Sequence, residues 1–208
     1  TSDQAFAIIT DANGDYGGTI GGTTGVFLSL PAGEVVATAA LDENARWSRY
    51  SPDGSQVAVA INDNSGSYLT LLDVMTGESI RDLGSSTDGH SGSISNSSFS
   101  FTPDGKRLVS GDGVGNVIMW NVETGELIQR LFGHDGRYIT TVEVSPNGQT
   151  AISSGIGNNR GLSGTLRFWD ISQATTAQVF EGHEAEGIEA VAISPDGTKA
   201  ISTGVFGK

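Results

Sequence analysis

A four-residue turn sequence recurs four times along the chain and constrains its fold more than any other feature. It reads Ser-Pro-Asp-Gly at 51–54 and 194–197, Thr-Pro-Asp-Gly at 102–105 and Ser-Pro-Asn-Gly at 145–148, with intervals of 51, 43 and 49 residues. Proline at the second position and glycine at the fourth suit a type I turn. Recurrence at this period indicates a repeat protein built from one supersecondary unit.

A second tight turn falls between the copies of the first. It is Ala-Gly at 32–33 and Thr-Gly at 76–77 and 124–125, and a glutamate follows each pair. The segments between turns are short and rich in β-branched and apolar residues, which is typical of strands rather than helices. Each repeat is therefore predicted to hold four antiparallel strands, a to d, in a meander with tight a–b and c–d turns. The predicted strands include 56–60, 68–74, 107–110, 117–122, 140–144 and 165–171.

Two dipeptides mark the same repeats. Gly-His precedes strand a at 89–90, 133–134 and 182–183, and strand c closes on Trp-Asn at 120–121 or Trp-Asp at 169–170. This combination resembles the WD-repeat family. The resemblance implies an all-β fold, namely a β-propeller of four-stranded antiparallel blades.

Alignment of the repeats assigns nearly the whole chain, 1–208, to a single partial propeller. The chain is expected to contain about four and a quarter blades. The resemblance implies that these are part of a propeller of roughly seven blades. An open arc would expose strand edges, so further blades are expected from the parent chain or from a partner. The assigned blades are 1–41 (strands b to d), 42–84, 91–133, 135–182 and 187–208 (strands a and b).

Charge narrows the choice of partner. The chain has 11 Lys and Arg against 24 Asp and Glu, a net charge of −13, which suits neither nucleic-acid phosphates nor an anionic membrane surface. Its lack of cysteine excludes thiolate metal sites and cysteine nucleophiles. The expected partners are another protein or further propeller blades, with no nucleic acid and no membrane insertion. The acidic composition and the small number of lysines, three, favour a bacterial protein located outside the cytoplasm, without excluding the cytoplasm.

The resemblance gives the histidines a structural role. In this family the histidine of Gly-His bonds to a strand-b serine or threonine and to the strand-c tryptophan. A loop aspartate completes the family's network, but Val114 stands at its expected position and Asp112 lies two places earlier, so an incomplete network is expected. Trp47, in strand a of the second blade, is expected to pack between blades, with a partner contact as the alternative. The implied structural residues are His90, Ser110 and Trp120, then His134, Ser153 and Trp169, and also His183.

In a meander the b–c and d–a connections lie at one end of the blade, which we call the loop face, and the tight turns lie at the other, the turn face. Irregular lengths fall on the loop face, at 11–24, 62–67 and 155–164 between strands b and c, and at 84–93 and 183–187 between d and a. Loops on a rigid scaffold often carry binding residues. The candidate partner-face residues are Asp15, Tyr16, Asp63, Asp88, Arg137, Arg160, Glu184 and Glu186.

One loop resembles the opening of an EF-hand calcium loop. Asp11, Asn13 and Asp15 stand at alternate positions, from which oxygens can converge on one cation. Tyr16 occupies the place of the loop's glycine and Gly22 that of its bidentate glutamate, so a glycine-rich turn without metal is favoured. No other cofactor is expected.

The residues favour a non-catalytic protein-interaction or scaffold module that binds a partner through the loop face. The sequence has no Ser-His-Asp order, no paired catalytic carboxylates and no metal cluster, and the resemblance commits the histidines to structure. One alternative is a calcium-stabilised ligand-binding or enzymatic propeller, with Asp15, Asp63 and Asp112 at the mouth of a central channel. A second alternative is the sensor end of a larger bacterial signalling protein.

Overall fold

The structure is a computed structural model, and its regular elements are all β-strands in the parts of the chain that it describes. Across those parts there is no helix of the length and apolarity that a membrane crossing requires. The described residues are 4–9, 23–29, 32–63, 66–85, 89–95, 98–134, 136–156, 164–173, 175–183 and 188–204.

The strands are numbered in chain order. They are β1 Gln4–Ile9, β2 Thr23–Ser29, β3 Val35–Leu41, β4 Ala45–Tyr50, β5 Gln56–Asp63, β6 Gly66–Asp73, β7 Ser79–Leu83, β8 Phe99–Phe101, β9 Arg107–Gly111, β10 Val117–Asn121, β11 Leu127–Leu131, β12 Tyr138–Val144, β13 Thr150–Ile156, β14 Gly164–Asp170, β15 Thr175–His183, β16 Ile188–Ile193 and β17 Ala200–Gly204.

The strands form five antiparallel sheets in which each strand pairs with its neighbour in sequence. The first sheet holds β1 to β3, the second β4 to β7, the third β8 to β11, the fourth β12 to β15 and the fifth β16 and β17. Each sheet is a simple meander, because every pair is antiparallel and consecutive in the chain. The predicted all-β fold of antiparallel four-stranded units is confirmed.

The prediction of an irregular loop between strands b and c of the second sheet is wrong. The irregular connection expected at 62–67 is much shorter, since Asn62 pairs with Ser67 and Asp63 pairs with Gly66 across the β5–β6 ladder. Asp63 also accepts a hydrogen bond at Oδ1 from the Gly66 backbone N–H, at 2.9 Å. The b–c connection of this sheet is therefore a close hairpin rather than an extended loop.

Each of the inner sheets buries apolar side chains on both faces. In β5, Val57 and Val59 pack toward the first sheet, whereas Ala58 and Ala60 pack toward the third, and all four are fully buried. Strands buried on both sides need apolar residues at successive positions, which explains why β5 lacks the alternation of a one-sided sheet. Truncation to alanine of a large side chain in these clusters, such as Leu69 or Ile61, costs about 2–5 kcal/mol, so each interface between sheets contributes strongly to stability.

The repeated proline turns all use the same hydrogen bonds. The Ser51 hydroxyl donates to Asp53 Oδ1 at 2.6 Å and accepts the Gln56 backbone N–H at 3.0 Å. This bond from the Ser51 hydroxyl is the main reason that the pKa of Asp53 is lowered. The fourth residue has positive φ in every copy, for example 72° at Gly54 and 69° at Gly105. Glycine is therefore required there by the backbone conformation itself.

The turns of successive sheets also lie against each other. A methyl group on Gly105 would lie 3.9 Å from Cδ of Pro52, and one on Gly148 would lie 3.3 Å from Cδ of Pro103. The proline of each copy thus contacts the glycine of the next. The repeated turn serves two purposes, because it closes its own hairpin and packs on the turn of the preceding sheet.

The second family of turns makes a closer contact. Gly125, at φ 80°, sits against the edge strand of the preceding sheet, where a methyl group would lie 2.6 Å from the Asp82 carbonyl oxygen. Gly77 sits in the same way against the carbonyl of Thr38. Because an exposed edge strand invites unwanted pairing, this turn shields part of the edge of the sheet before it.

The two glycine turns of the third sheet should respond differently to a methyl group. Both Gly125→Ala and Gly105→Ala introduce left-handed strain of about 1–2 kcal/mol, but only the methyl at 125 meets a backbone oxygen, at 2.6 Å. We expect Gly125→Ala to lower the free energy of unfolding by at least about 1 kcal/mol more than Gly105→Ala. Urea unfolding of the two variants measures the difference, and equal losses would show that the contact with Asp82 is not needed.

Candidate functional site

A buried chain of hydrogen bonds crosses the third sheet. The Trp120 indole N–H donates to Ser110 Oγ at 2.8 Å, and Ser110 Oγ lies 2.6 Å from His90 Nε2. On the other side of the ring, His90 Nδ1 lies 3.1 Å from Asp112 Oδ2. Because the Asp112 carboxylate can only accept, Nδ1 of the neutral ring carries the proton and donates it to Asp112, so Nε2 accepts the Ser110 O–H. The sequence-predicted set of His90, Ser110 and Trp120 comes together here.

The expectation that this network lacks its aspartate is wrong. Asp112 is buried and accepts hydrogen bonds from His90, from the Asn116 side chain at 2.8 Å and from the backbone N–H groups of Val114 and Asn116. Val114 contributes its backbone while its side chain is exposed. Asp112 stands two positions before Val114, where the family pattern places the aspartate, and the turn after β9 nevertheless brings its carboxylate to His90. A comparison of sequence spacing does not detect this.

Charges are arranged so that His90 is neutral and Asp112 is ionised. Burial lowers the pKa of His90. Burial also acts to raise the pKa of Asp112, but hydrogen bonds from His90 and Asn116 outweigh it and lower the pKa. With all its lone pairs engaged, Asp112 is held away from solvent. The interpretation of Asp112 as a residue at a channel mouth is therefore wrong.

The fourth sheet repeats the network with a different last member. His134 Nε2 lies 2.7 Å from Ser153 Oγ, which accepts the Trp169 indole N–H at 2.7 Å. His134 Nδ1 is 2.8 Å from the Thr165 hydroxyl instead of a carboxylate. Burial, followed by the charges of the nearby Arg167 and Arg137, lowers the pKa of His134 to about 3. His183 lies in β15, and its side chain falls outside the described residues.

The candidate partner-face residues can be followed only in part. Asp63 and Arg137 are described and half-buried; Asp63 is the last residue of β5, and Arg137 immediately precedes β12, both on the loop face. The Arg137 guanidinium is 3.5 Å from the His134 carbonyl oxygen, which it can approach as a donor. The remaining candidates lie outside the described residues, as do Asp11, Asn13 and Asp15 of the proposed calcium loop. The partner-face candidates outside the described residues are Asp15, Tyr16, Asp88, Arg160, Glu184 and Glu186.

The side chains of Asn62 and Asp63 form hydrogen bonds with backbone groups. The Asn62 amide donates to the Ile94 carbonyl at 2.8 Å and accepts the Ile94 N–H at 2.9 Å, which ties the second sheet to the third. Asp63 closes its own hairpin as described above. Among the described residues, no group of three or more His, Asp or Glu is close enough to hold a metal ion.

The expectation that Trp47 packs between sheets is wrong. Its side chain is 41% exposed, whereas Trp120 and Trp169 are buried. A β-bulge between Ala45 and Trp47 interrupts the pairing of β4 with β5, and the Arg46 guanidinium donates to the Glu43 and Ala45 carbonyl oxygens. A bulge redirects the side chains around it. The polar composition of β4 was the available signal that one face of this strand is open.

Arg49 links the first strands of three successive sheets. Its guanidinium lies 3.2 Å from Ser100 Oγ in β8 and 3.4 Å from Glu143 Oε1 in β12. Both members of the ion pair are about a third exposed, at 31% and 30%, so the pair is worth less than about 1 kcal/mol. It positions the innermost strands relative to each other more than it stabilises them.

The sheets define the class of protein, since consecutive four-stranded meanders packed face to face are the blades of a β-propeller. The repeat described as "WD domain, G-beta repeat" matches residues 81–121, 125–170 and 174–205, which is more than half of the chain. The chain therefore belongs to the WD-repeat family.

Two relatives match parts of the chain. The "Small ribosomal subunit protein RACK1y" of Oryza sativa subsp. japonica is 38% identical over 68 residues, covering 33% of this chain and 20% of the relative. The "Guanine nucleotide-binding protein subunit beta-5b" of Danio rerio is 31% identical over 109 residues, covering 51% of this chain and 26% of the relative. The matched segments thus span about a fifth and a quarter of these relatives.

A solved structure with a similar fold is the Kuenenia stuttgartiensis Hydrazine Synthase. The TM-score is 0.72 at 18% identity, and the likeness covers 87% of this chain and 49% of that chain. At this identity the likeness shows the fold alone.

The buried histidines should make stability depend on pH in a defined window. Below its ordinary pKa of 6.5, His134 takes up a proton in the unfolded chain, whereas the folded chain resists protonation down to about pH 3. The contribution of this histidine to the free energy of unfolding is therefore fully present above pH 6.5. It decreases as the pH falls from 6.5 toward 3, by at most about 1.4 kcal/mol per pH unit for each such histidine.

Urea unfolding at about pH 6.5, 5.5 and 4.5 tests this, because the aspartates with lowered pKa act mainly below their ordinary value of 3.8. We expect His134→Gln to be less stable at neutral pH and to lose less stability on acidification than the unmodified chain. His90→Gln provides a second case in the third sheet. If neither substitution reduces the slope, the histidines are not the groups that titrate.

Proposed function

We propose that this chain is a non-catalytic protein-interaction module that binds a partner protein through its loop face. The observation that carries the proposal is the exposed Trp47. It is the third residue of β4, in the half of the strand that follows the connection from β3 and so lies nearer the loop face. Tryptophan is prominent among the residues that dominate binding energy at protein interfaces.

Trp47 differs from the other two tryptophans in what surrounds it. Trp120 and Trp169 donate their indole N–H groups to serines inside their sheets. No described residue accepts a hydrogen bond from the indole of Trp47, and 41% of the residue is accessible to solvent. A large ring with an unused donor at the surface offers both apolar area and a polar contact to a partner.

The interior supports a structural rather than a catalytic use of the polar residues. His90 and His134 are buried, and each is bonded at both ring nitrogens. The carboxylate of Asp112 is likewise engaged by several donors. A general base or nucleophile must reach a substrate, and these groups are enclosed by their own sheets.

The matched relatives favour the same function. Their names describe a protein of the small ribosomal subunit and a subunit of a guanine nucleotide-binding protein. Both names are those of components of larger assemblies. A role as one component of an assembly is the corresponding proposal for this chain, and fold likeness supports it only by association.

Photo-crosslinking from the loop face tests the proposal. A benzoylphenylalanine in place of Trp47 in the full natural protein should capture a partner that mass spectrometry can identify. Trp47→Ala should then reduce co-purification of that partner at least about tenfold, which corresponds to about 1.4 kcal/mol, without a change in the urea midpoint.

Met75→Ala is the matched control. Met75 is also apolar and is 67% exposed, but it lies in the c–d turn of the same sheet, on the turn face. This variant should keep the partner. Loss of the partner in Met75→Ala together with full recovery in Trp47→Ala would place the binding site on the opposite end of the sheets.

A further inference from the structure

We propose that a groove on the outer rim, between the second and third sheets, is a separate docking site for an extended, basic segment of a partner protein. The groove has a volume of about 400 Å³ and is lined by Asp82 from β7 and by Trp120, Glu126, Leu127 and Arg130 from the third sheet. We refer to it as the rim groove. It lies along the outer strands, and its use does not depend on the loop-face proposal.

The apolar part of the rim groove comes from the start of β11. Leu127 is 39% exposed and lines the groove, and its neighbour Ile128 is 41% exposed. Ile128 stands at a β-bulge, because Leu127 pairs with Trp120 and Gln129 pairs with Met119. Leu127 lines the groove together with the edge of the Trp120 ring and provides the kind of apolar centre around which interfaces form, whereas Ile128 is not among the lining residues.

β7, the outer strand of the second sheet, has a corresponding bulge beyond the residues that line the groove. In β7 the register shifts between the pairs Leu71–Arg81 and Leu72–Ser79, which places Ile80 at the same kind of bulge. Ile80 is 36% exposed. The rim therefore carries aliphatic side chains at matching positions on both outer strands.

The charges of the rim groove select a cationic occupant. Asp82 and Glu126 contribute two carboxylates, and neither forms an ion pair with any described lysine or arginine. Within the described ranges, the hydrogen bond that the Glu126 carboxylate accepts is from the Thr124 hydroxyl, at 3.2 Å. The Arg130 guanidinium donates to the Gly89 carbonyl oxygen at 3.2 Å. Two carboxylates and one guanidinium line the groove, and the Arg81 side chain packs against Gly125 with its Nε buried. Because the chain as a whole has a net charge of −13, a lysine or arginine on the partner is favoured.

The backbone favours an extended occupant. β11 is the outermost strand of its sheet, whose order is β11-β10-β9-β8. An outer strand presents unpaired backbone groups to which a partner strand can be added. A segment running along β11 would place alternate side chains toward Leu127 and toward the carboxylates, so that apolar and basic residues alternate along it.

Labelled peptides provide the test. A fluorescein-labelled octapeptide of alternating lysine and valine serves as the probe, and its glutamate–valine counterpart is the control. Fluorescence anisotropy with the full chain should show saturable binding of the lysine peptide only. Asp82→Asn combined with Glu126→Gln should weaken this binding at least about tenfold, and Leu127→Ser should do the same.

A charge-matched variant separates the rim groove from general attraction to an acidic protein. Glu34→Gln combined with Glu43→Gln removes the same charge from exposed side chains elsewhere, and it should change the affinity less than twofold. Trp47→Ala should also leave it unchanged, which distinguishes this site from the loop face. Ile128→Ser and the urea midpoints control for folding of the Leu127 variant.

Two results would overturn the proposal. One is equal weakening in the Glu34/Glu43 and Asp82/Glu126 variants, which would mean that net charge alone attracts the peptide. The other is no difference between the lysine and glutamate peptides, whether both bind or neither does.

Discussion

The structure depends on the packing of each sheet against the next, because no sheet could bury its apolar residues alone. β5 shows this most clearly, since its successive side chains face two different neighbouring sheets and are all buried. A single four-stranded meander of this kind would leave apolar side chains in water on both sides. Burial of apolar area contributes about 25 cal/mol per Å², so the stability of one sheet is shared with those before and after it.

The polar networks fit within this packing and do not compete with it. Trp120 and Trp169 are the largest fully buried side chains among the described residues, and each donates its indole N–H to a serine. The serine in turn serves a histidine, so three polar groups are buried together without an unmet donor or acceptor. Buried polar groups are costly only when unpaired. The networks therefore specify how strands b and c and the preceding connection meet.

The sequence was sufficient to predict features that are determined locally. The four proline turns were predicted from their residues alone, and the positive φ of Gly54 and Gly105 agrees with the predicted need for glycine at the fourth position. The partners of His90 and His134 in strands b and c were implied by the family resemblance, and the structure brings them together.

The errors arose where tertiary geometry overrides spacing. Asp112 reaches His90 because of the turn after β9, and a count of positions favoured Val114 instead. Trp47 is exposed because a bulge at Arg46 shifts the alternation of β4, and a bulge has no clear signal in a single sequence. The hairpin at Asp63 is closed by backbone pairing that a loop-like composition conceals.

The family matches do not coincide with the sheets, and this offset has a consequence for how such a chain can change in length. The match at 81–121 begins in β7 of the second sheet and ends with β10 of the third, and the next match begins near β11. Deletion of one whole unit would remove the outer strand of one blade and the inner three of the following blade. The next outer strand would then lie where the lost one paired with β6. Gain or loss of a complete unit thus leaves every blade with its full number of strands, so the number of blades can vary in evolution without an incomplete intermediate.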